Sequence, residues 1–122
     1  MKSFENKVVV VTGGAHGIGR TIVQEFEKEG AKVVYIDIRE NPSYIGDISK
    51  KETLEDFAKF VLGKYDHVDV LVNNALPLMK GLDECSYEEF NYALAVGVSA
   101  PFYLTKLFSK HFAPGASIIN IS

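Results

Sequence analysis

Hydrophobic residues along the chain fall into two kinds of run. Lys7–Thr12 (KVVVVT), Lys32–Asp37 (KVVYID), Val68–Asn73 (VDVLVN) and Ser117–Ile121 (SIINI) are apolar almost without alternation. That is the pattern of parallel strands buried on both faces. Tyr44–Ile45 is a weaker candidate for a short extra strand. The intervening segments have helical period. Ile18, Ile22 and Phe26 recur every fourth residue, and Gly30 offers a stop. Leu54, Phe57, Ala58, Val61 and Leu62 form an apolar stripe behind Ser49, whose spacing to Glu52 predicts a capping box. Ser86 and Glu89 repeat that box ahead of Phe90, Ala93 and Leu94. Pro101 suits the first turn of a last helix, with Leu104, Leu107, Phe108, His111 and Phe112 along one face. Phe102 and Tyr103 stand off that face, which predicts burial on a second side and hence a subunit interface.

Strands alternating with helices imply right-handed βαβ units and a parallel sheet covered on both faces. The final run, SIINIS, ends the chain on an apolar strand that reads as central, so a longer relative or another subunit is expected to cover its edge. With 122 residues, 47% hydrophobic and 24% charged, the chain suits one compact domain. A net charge of −3 without basic runs argues against nucleic acid or an anionic membrane as partner. The single Cys85 excludes an internal disulfide or a cysteine-built metal cluster. No apolar run suits a signal peptide or a membrane span, so a cytoplasmic setting is expected.

The densest chemical signal is Thr12-Gly13-Gly14-Ala15-His16-Gly17-Ile18-Gly19, placed between a predicted strand and a predicted helix. Gly13 permits a sharp turn off the strand. Gly17 leaves room for a phosphate to reach the backbone, and Gly19 lets helix and strand approach. Free N–H groups and the helix dipole then face the anion. Taken alone, the segment serves equally well as a ligand-free strand-to-helix turn. Asp37 shifts that balance. It closes the second strand 18 residues after Gly19, where a carboxylate accepts hydrogen bonds from the adenosine ribose hydroxyls. The same carboxylate repels a 2′-phosphate and so favours NAD over NADP, although Arg39 could pair with such a phosphate.

The spacing Gly13-x-x-x-Gly17-x-Gly19 after Thr12 resembles the cofactor motif of the short-chain dehydrogenase/reductase family. Asp37 matches that family's NAD-selecting acidic position, and Asp47-Ile48 resembles its adenine-holding pair. Asn73-Asn74-Ala75 resembles the Asn-Asn-Ala-Gly motif closing the fourth strand, and Ser117–Ser122 the fifth strand that leads to the active site. The resemblance implies a Rossmann-like, doubly wound α/β sheet of about five parallel strands in the order 3-2-1-4-5. It assigns Gly13, Gly17, Ile18 and Gly19 to the phosphates, Asp37 to the ribose, Asp47 and Ile48 to the adenine, and Asn73 and Ala75 to the crevice.

The departures are also informative. Leu76 replaces the last Gly of the Asn-Asn-Ala-Gly motif, and Gly97 stands where the family carries the Asn of its proton relay. The family's catalytic Ser would fall one residue beyond Ser122, and its Tyr-x-x-x-Lys pair farther on. Tyr92 and Tyr103 do not stand four residues before a Lys. The expectation is therefore the NAD-binding half of an oxidoreductase acting on an alcohol or carbonyl, a single domain over residues 1–122, with no catalytic residue and no metal. The alternative is a non-catalytic nucleotide-binding or structural half-domain, natural or engineered. A homo-oligomer is expected through the two C-terminal helices or the last strand. His16 reads as an exposed loop residue, with phosphate contact as the alternative. His67 and His111 read as structural, Cys85 as unreactive, and Tyr35 and Tyr65 as packing residues.

Overall fold

A computed structural model describes residues 3–77 and 80–121. Ser122, the last residue of the SIINIS motif, lies outside them. The strands are β1 (Val8–Thr12), β2 (Lys32–Asp37), β3 (Tyr44–Ile45), β4 (Val68–Asn73) and β5 (Phe112–Asn120). The helices are α1 (Gly17–Lys28), α2 (Lys51–Tyr65), α3 (Tyr87–Leu94) and α4 (Ala100–Phe108), with a π-helical turn over Ala95–Ser99. The strands form one parallel sheet in the order β3-β2-β1-β4-β5, as the alternation of elements and the family resemblance require.

The unalternating strands follow from two apolar layers. Val10, Val34, Ile36 and Leu71 point to the side covered by α2 and α4, against Phe57, Val61, Leu104 and Phe108. Val9, Val11, Val70 and Val72 point to the other side, against Val23 of α1 with Ile22 and Phe26 alongside. Every β1 residue is buried, so no position there tolerates a polar side chain except Thr12, whose hydroxyl is used at the strand end.

The helix ends show where local pattern and structure part. α1 stops as expected, with Gly30 at φ +90°, in the left-handed region that favours glycine. The box at Ser86 forms: its hydroxyl accepts the Glu89 N–H at 3.0 Å, and the Glu89 carboxylate accepts the Ser86 N–H at 3.0 Å. The box expected at Ser49 does not. Asp47 takes the Ser49 N–H at 2.9 Å in a local turn, and α2 begins two residues later behind Lys50, without a side-chain cap.

The last helix also differs from expectation. α3, the π turn and α4 form one continuous helical rod, so Pro101 lies within a helix rather than opening a separate one. A proline ring collides with the carbonyl four residues back, here that of Gly97, and supplies no N–H to it. The wider turn accommodates this, and the Ala100 N–H bonds to the Ala95 carbonyl, five residues back. α4 then ends at Phe108, so His111 and Phe112 do not extend its face. The His111 N–H closes a turn on the Phe108 carbonyl at 2.8 Å, and Phe112 starts β5 opposite Val68. β5 is longer than the predicted Ser117–Ile121 because it takes five residue steps, Phe112 to Ser117, where β4 takes two, Val68 to Val70. Gly115, at φ +79°, lies in that bulge.

Candidate functional site

β1 and β4 are adjacent in the sheet, but their following helices lie on opposite faces, and a cleft of about 700 Å³ opens at their carboxyl ends. This is the point where the winding of an open α/β sheet reverses and ligands are held. One wall is the turn from β1 into α1. Gly13 and Gly17 adopt φ +71° and +60°. A Cβ on Gly19 would lie 1.9 Å from the Gly13 carbonyl oxygen, so this glycine permits the close approach of helix and strand. A Cβ on Gly17 would meet nothing within 4 Å; with Gly17 lining the cleft, its bare main chain leaves open space.

The turn is fastened at both ends. The Thr12 hydroxyl accepts the Asn74 and Ala75 N–H groups at 3.1 and 3.0 Å, and Asn74 Nδ2 donates to the Gly13 carbonyl at 3.1 Å. Asp37, with a side chain only 5% exposed, holds the middle: Oδ2 accepts the Ala15 N–H and Oδ1 the Arg39 N–H, each at 3.0 Å. The carboxylate thus orders the loop while lining the cleft.

Of the residues singled out in the sequence, Gly13, Gly17, Ile18, Gly19, Asp37, Asp47, Ile48 and Ala75 all line this one cleft. Ile18 does so by leaving the apolar stripe of α1: it is 66% exposed at the mouth, while Ile22 and Phe26 pack inward. Asn73 is the exception. Its amide donates to Asn120 Oδ1 on β5 at 2.9 Å, its own Oδ1 is buried without a partner, and it does not line the cleft. Alternation along the strand explains this, because consecutive residues at a strand end point to opposite sides. Asn74, its neighbour, is the lining residue, and the doubled asparagine was the available signal.

Apart from Leu76, which the Asn-Asn-Ala motif singles out, the far wall was not legible in the sequence. Leu76, Pro77, Glu88, Tyr92 and Val96 line it, brought there by the loop after β4 and by α3. The Tyr92 hydroxyl reaches Asp47 Oδ1 at 3.5 Å across the cleft, and burial, followed by the nearby Asp47 charge, pushes this phenol up from its ordinary range. Gly97 faces Pro77, 3.9 Å from where its Cβ would stand.

His67 lies apart from the cleft, and spatially it has carboxylate partners that its sequence context did not predict. Nδ1 lies 2.9 Å from the Tyr65 carbonyl and 3.1 Å from Asp66, and Nε2 lies 3.1 Å from Asp69, whose same oxygen accepts the Val8 N–H at 2.8 Å. Hydrogen bonding to Asp66, joined by Tyr65 and Asp69 and partly offset by desolvation, raises its pKa. These contacts join the end of α2 to β4 and, through Asp69, to β1. No group of metal-binding side chains occurs among the described residues, and no described helix is long and apolar enough to cross a membrane.

Comparison with known proteins agrees with this geometry. L-fucose dehydrogenase of Mus musculus is 34% identical over 134 residues, covering 98% of this chain and 49% of that protein. The solved structure of an apo SCOR enzyme from Clostridium thermocellum superposes with a TM-score of 0.89 at 39% identity, over 96% of this chain and 54% of that one. A 3-ketoacyl-(acyl-carrier-protein) reductase from Brucella melitensis, solved in complex with NADH, superposes with a TM-score of 0.85 at 29% identity, over 98% of this chain and 58% of that one. The chain spans about half the length of the curated relatives it matches. Residues 7–122 match the family described as short chain dehydrogenase, and the chain belongs to that family.

Proposed function

We propose that this chain provides the adenosine- and pyrophosphate-binding half of an NAD-dependent oxidoreductase acting on an alcohol or carbonyl substrate. The supporting observation is that the bare main chain at Gly17 and the carboxylate of Asp37 line the same cleft. Gly13, Gly17, Ile18 and Gly19 hold the diphosphate through main-chain N–H groups at the start of α1, where the helix dipole favours an anion. Asp37 accepts from the ribose hydroxyls, which disfavours a 2′-phosphate and selects NAD. Asp47 and Ile48 border the adenine, and Ala75 lines the way toward the reacting end. When bound, the nicotinamide gives or takes the hydride. Asn73 acts through the sheet rather than by touching the ligand.

The exposed apolar side chains Phe90, Leu94, Val98 and Phe102 recur every fourth residue along the rod of α3 and α4, and support self-association through that face. Calorimetric titration tests the binding assignment. NAD should bind the wild-type chain, and Asp37→Ala should weaken NAD about tenfold or more while raising the NADP-to-NAD affinity ratio, since hydrogen bonds to a charged group contribute about 1.5–3 kcal/mol. Absence of NAD binding, or an Asp37→Ala chain with unchanged affinity and unchanged ratio, would overturn it.

A further inference from the structure

Glu88, Tyr92 and Val96 recur every fourth residue along the rod that begins with α3, and all three line the cleft. Tyr92 reaches across it: the hydroxyl stands 3.5 Å from Oδ1 of Asp47, which lines the cleft beside Ile48. That separation exceeds the roughly 2.5–3.0 Å of a firm O–H···O bond, so the phenol is aimed at the carboxylate without being locked to it. Oδ1 already has a firm donor in the Ser49 N–H at 2.9 Å. Oδ2 accepts no hydrogen bond among the described residues. We infer that Tyr92 is a specificity-determining residue: its phenol oxygen and the open oxygen of Asp47 together accept the two N–H groups of an exocyclic amine, so that the cleft takes an aminopurine in preference to an oxopurine. The inference rests on the dinucleotide reading above and adds to it a contact for the base from α3.

The chemistry of the two side chains gives the direction. An ionised carboxylate only accepts hydrogen bonds, whereas a phenol both donates and accepts. Burial, followed by the Asp47 charge, pushes the Tyr92 phenol up, so it keeps its proton at neutral pH, and that charge draws the proton toward Oδ1. The lone pairs of the phenol are then what it offers a ligand. An amino group has two donors for these two acceptors. An oxo group brings only lone pairs, which repel the carboxylate and leave both acceptors unmatched. Glu89, which also lines the cleft, is held by Lys80 at 2.6 Å and by the capping box, so it is not free to serve in place of Tyr92. Tyr92 is 42% exposed, so its share of the discrimination is that of a partly solvated bond.

The test is calorimetric titration of the purified chain with NAD and with nicotinamide hypoxanthine dinucleotide, which carries an oxo group in place of the adenine amine. The wild type should bind NAD about tenfold or more tightly than the hypoxanthine dinucleotide, the usual effect of a hydrogen bond to a charged group. Tyr92→Phe should lose about fivefold in NAD affinity, the usual effect of one neutral hydrogen bond, while its affinity for the hypoxanthine dinucleotide stays close to that of the wild type. In Asp47→Asn the Ser49 N–H retains the amide oxygen and the amide N–H₂ takes the open place, so the preference should turn toward the hypoxanthine dinucleotide. Equal affinities in the wild type would overturn the inference while leaving NAD binding intact. So would Tyr92→Phe weakening both dinucleotides alike, the mark of a residue that merely builds the wall, or an unaltered ratio in either variant. Failure of both dinucleotides to bind the wild type would instead overturn the dinucleotide reading, and the inference with it.

Discussion

Asn74 ties the end of β4 to Thr12 and its neighbour at the end of β1 by donating twice: its N–H to the Thr12 hydroxyl at 3.1 Å, and its side-chain amide to the carbonyl of Gly13 at 3.1 Å. Two strands far apart in sequence are thereby held in the register that opens the cleft between them. Thr12→Val keeps the shape but leaves the N–H groups of Asn74 and Ala75 without their acceptor. It should lower stability by about 2 kcal/mol, given the usual cost of orphaned buried donors. Thr12→Ser should recover most of that loss in a urea denaturation series. Equal midpoints for wild type and Thr12→Val would show that the hydroxyl contributes nothing.

The glycines of the turn make a paired prediction. Gly19→Ala forces a Cβ to within 1.9 Å of the Gly13 carbonyl, so the helix must move off the strand, and stability should fall by about 2 kcal/mol or more. Gly17→Ala meets no atom within 4 Å but must hold φ +60°, at a cost of about 1 kcal/mol. Because Gly17 lines the cleft and its Cβ would meet no neighbour, this variant should stay folded by circular dichroism and lose dinucleotide affinity in calorimetry. Unaltered affinity in folded Gly17→Ala would remove the phosphate cradle from this segment.

The imidazole of His67 predicts a dependence of stability on pH. Its folded-state pKa is raised by Asp66 first, so the folded chain holds this proton more tightly than the unfolded one. The stabilisation is fully present below the unfolded value of about 6.5 and disappears as pH climbs through the higher folded value. With the ring 39% exposed, solvent screens much of it, and the expected decline in urea midpoint on the alkaline side is small. His67→Gln should flatten that limb, and a decline of equal depth in the variant would assign it to another group.

Ser86 and Ser49 have the same box spacing in the sequence, but only Ser86 caps a helix. Ser86→Ala should destabilise by about 1 kcal/mol, and Ser49→Ala should stay within about 0.5 kcal/mol of wild type. Chemical denaturation of the two variants side by side would reverse the assignment if their losses were equal.

The residues alone were sufficient for the sheet and for one wall of the cleft. Runs such as Val8–Val11 and Val70–Val72 have no polar alternation, because both faces of a parallel sheet are covered, and this is a local property readable at each position. The glycine turn was readable for a similar reason: its conformation and bare backbone are built into the residue type at Gly13, Gly17 and Gly19. Tertiary structure alone decided which side chains meet across distance. Asn73 finds Asn120 only because β5 pairs with β4, and Asn74 finds the Gly13 carbonyl only because β4 pairs with β1. Tyr92 faces Asp47 only because α3 folds back over the strand ends, and His16 stands beside Asp37 only because β2 pairs with β1. Local preference is set by neighbours along the chain, whereas these encounters are set by packing between elements tens of residues apart, which no short window of sequence records.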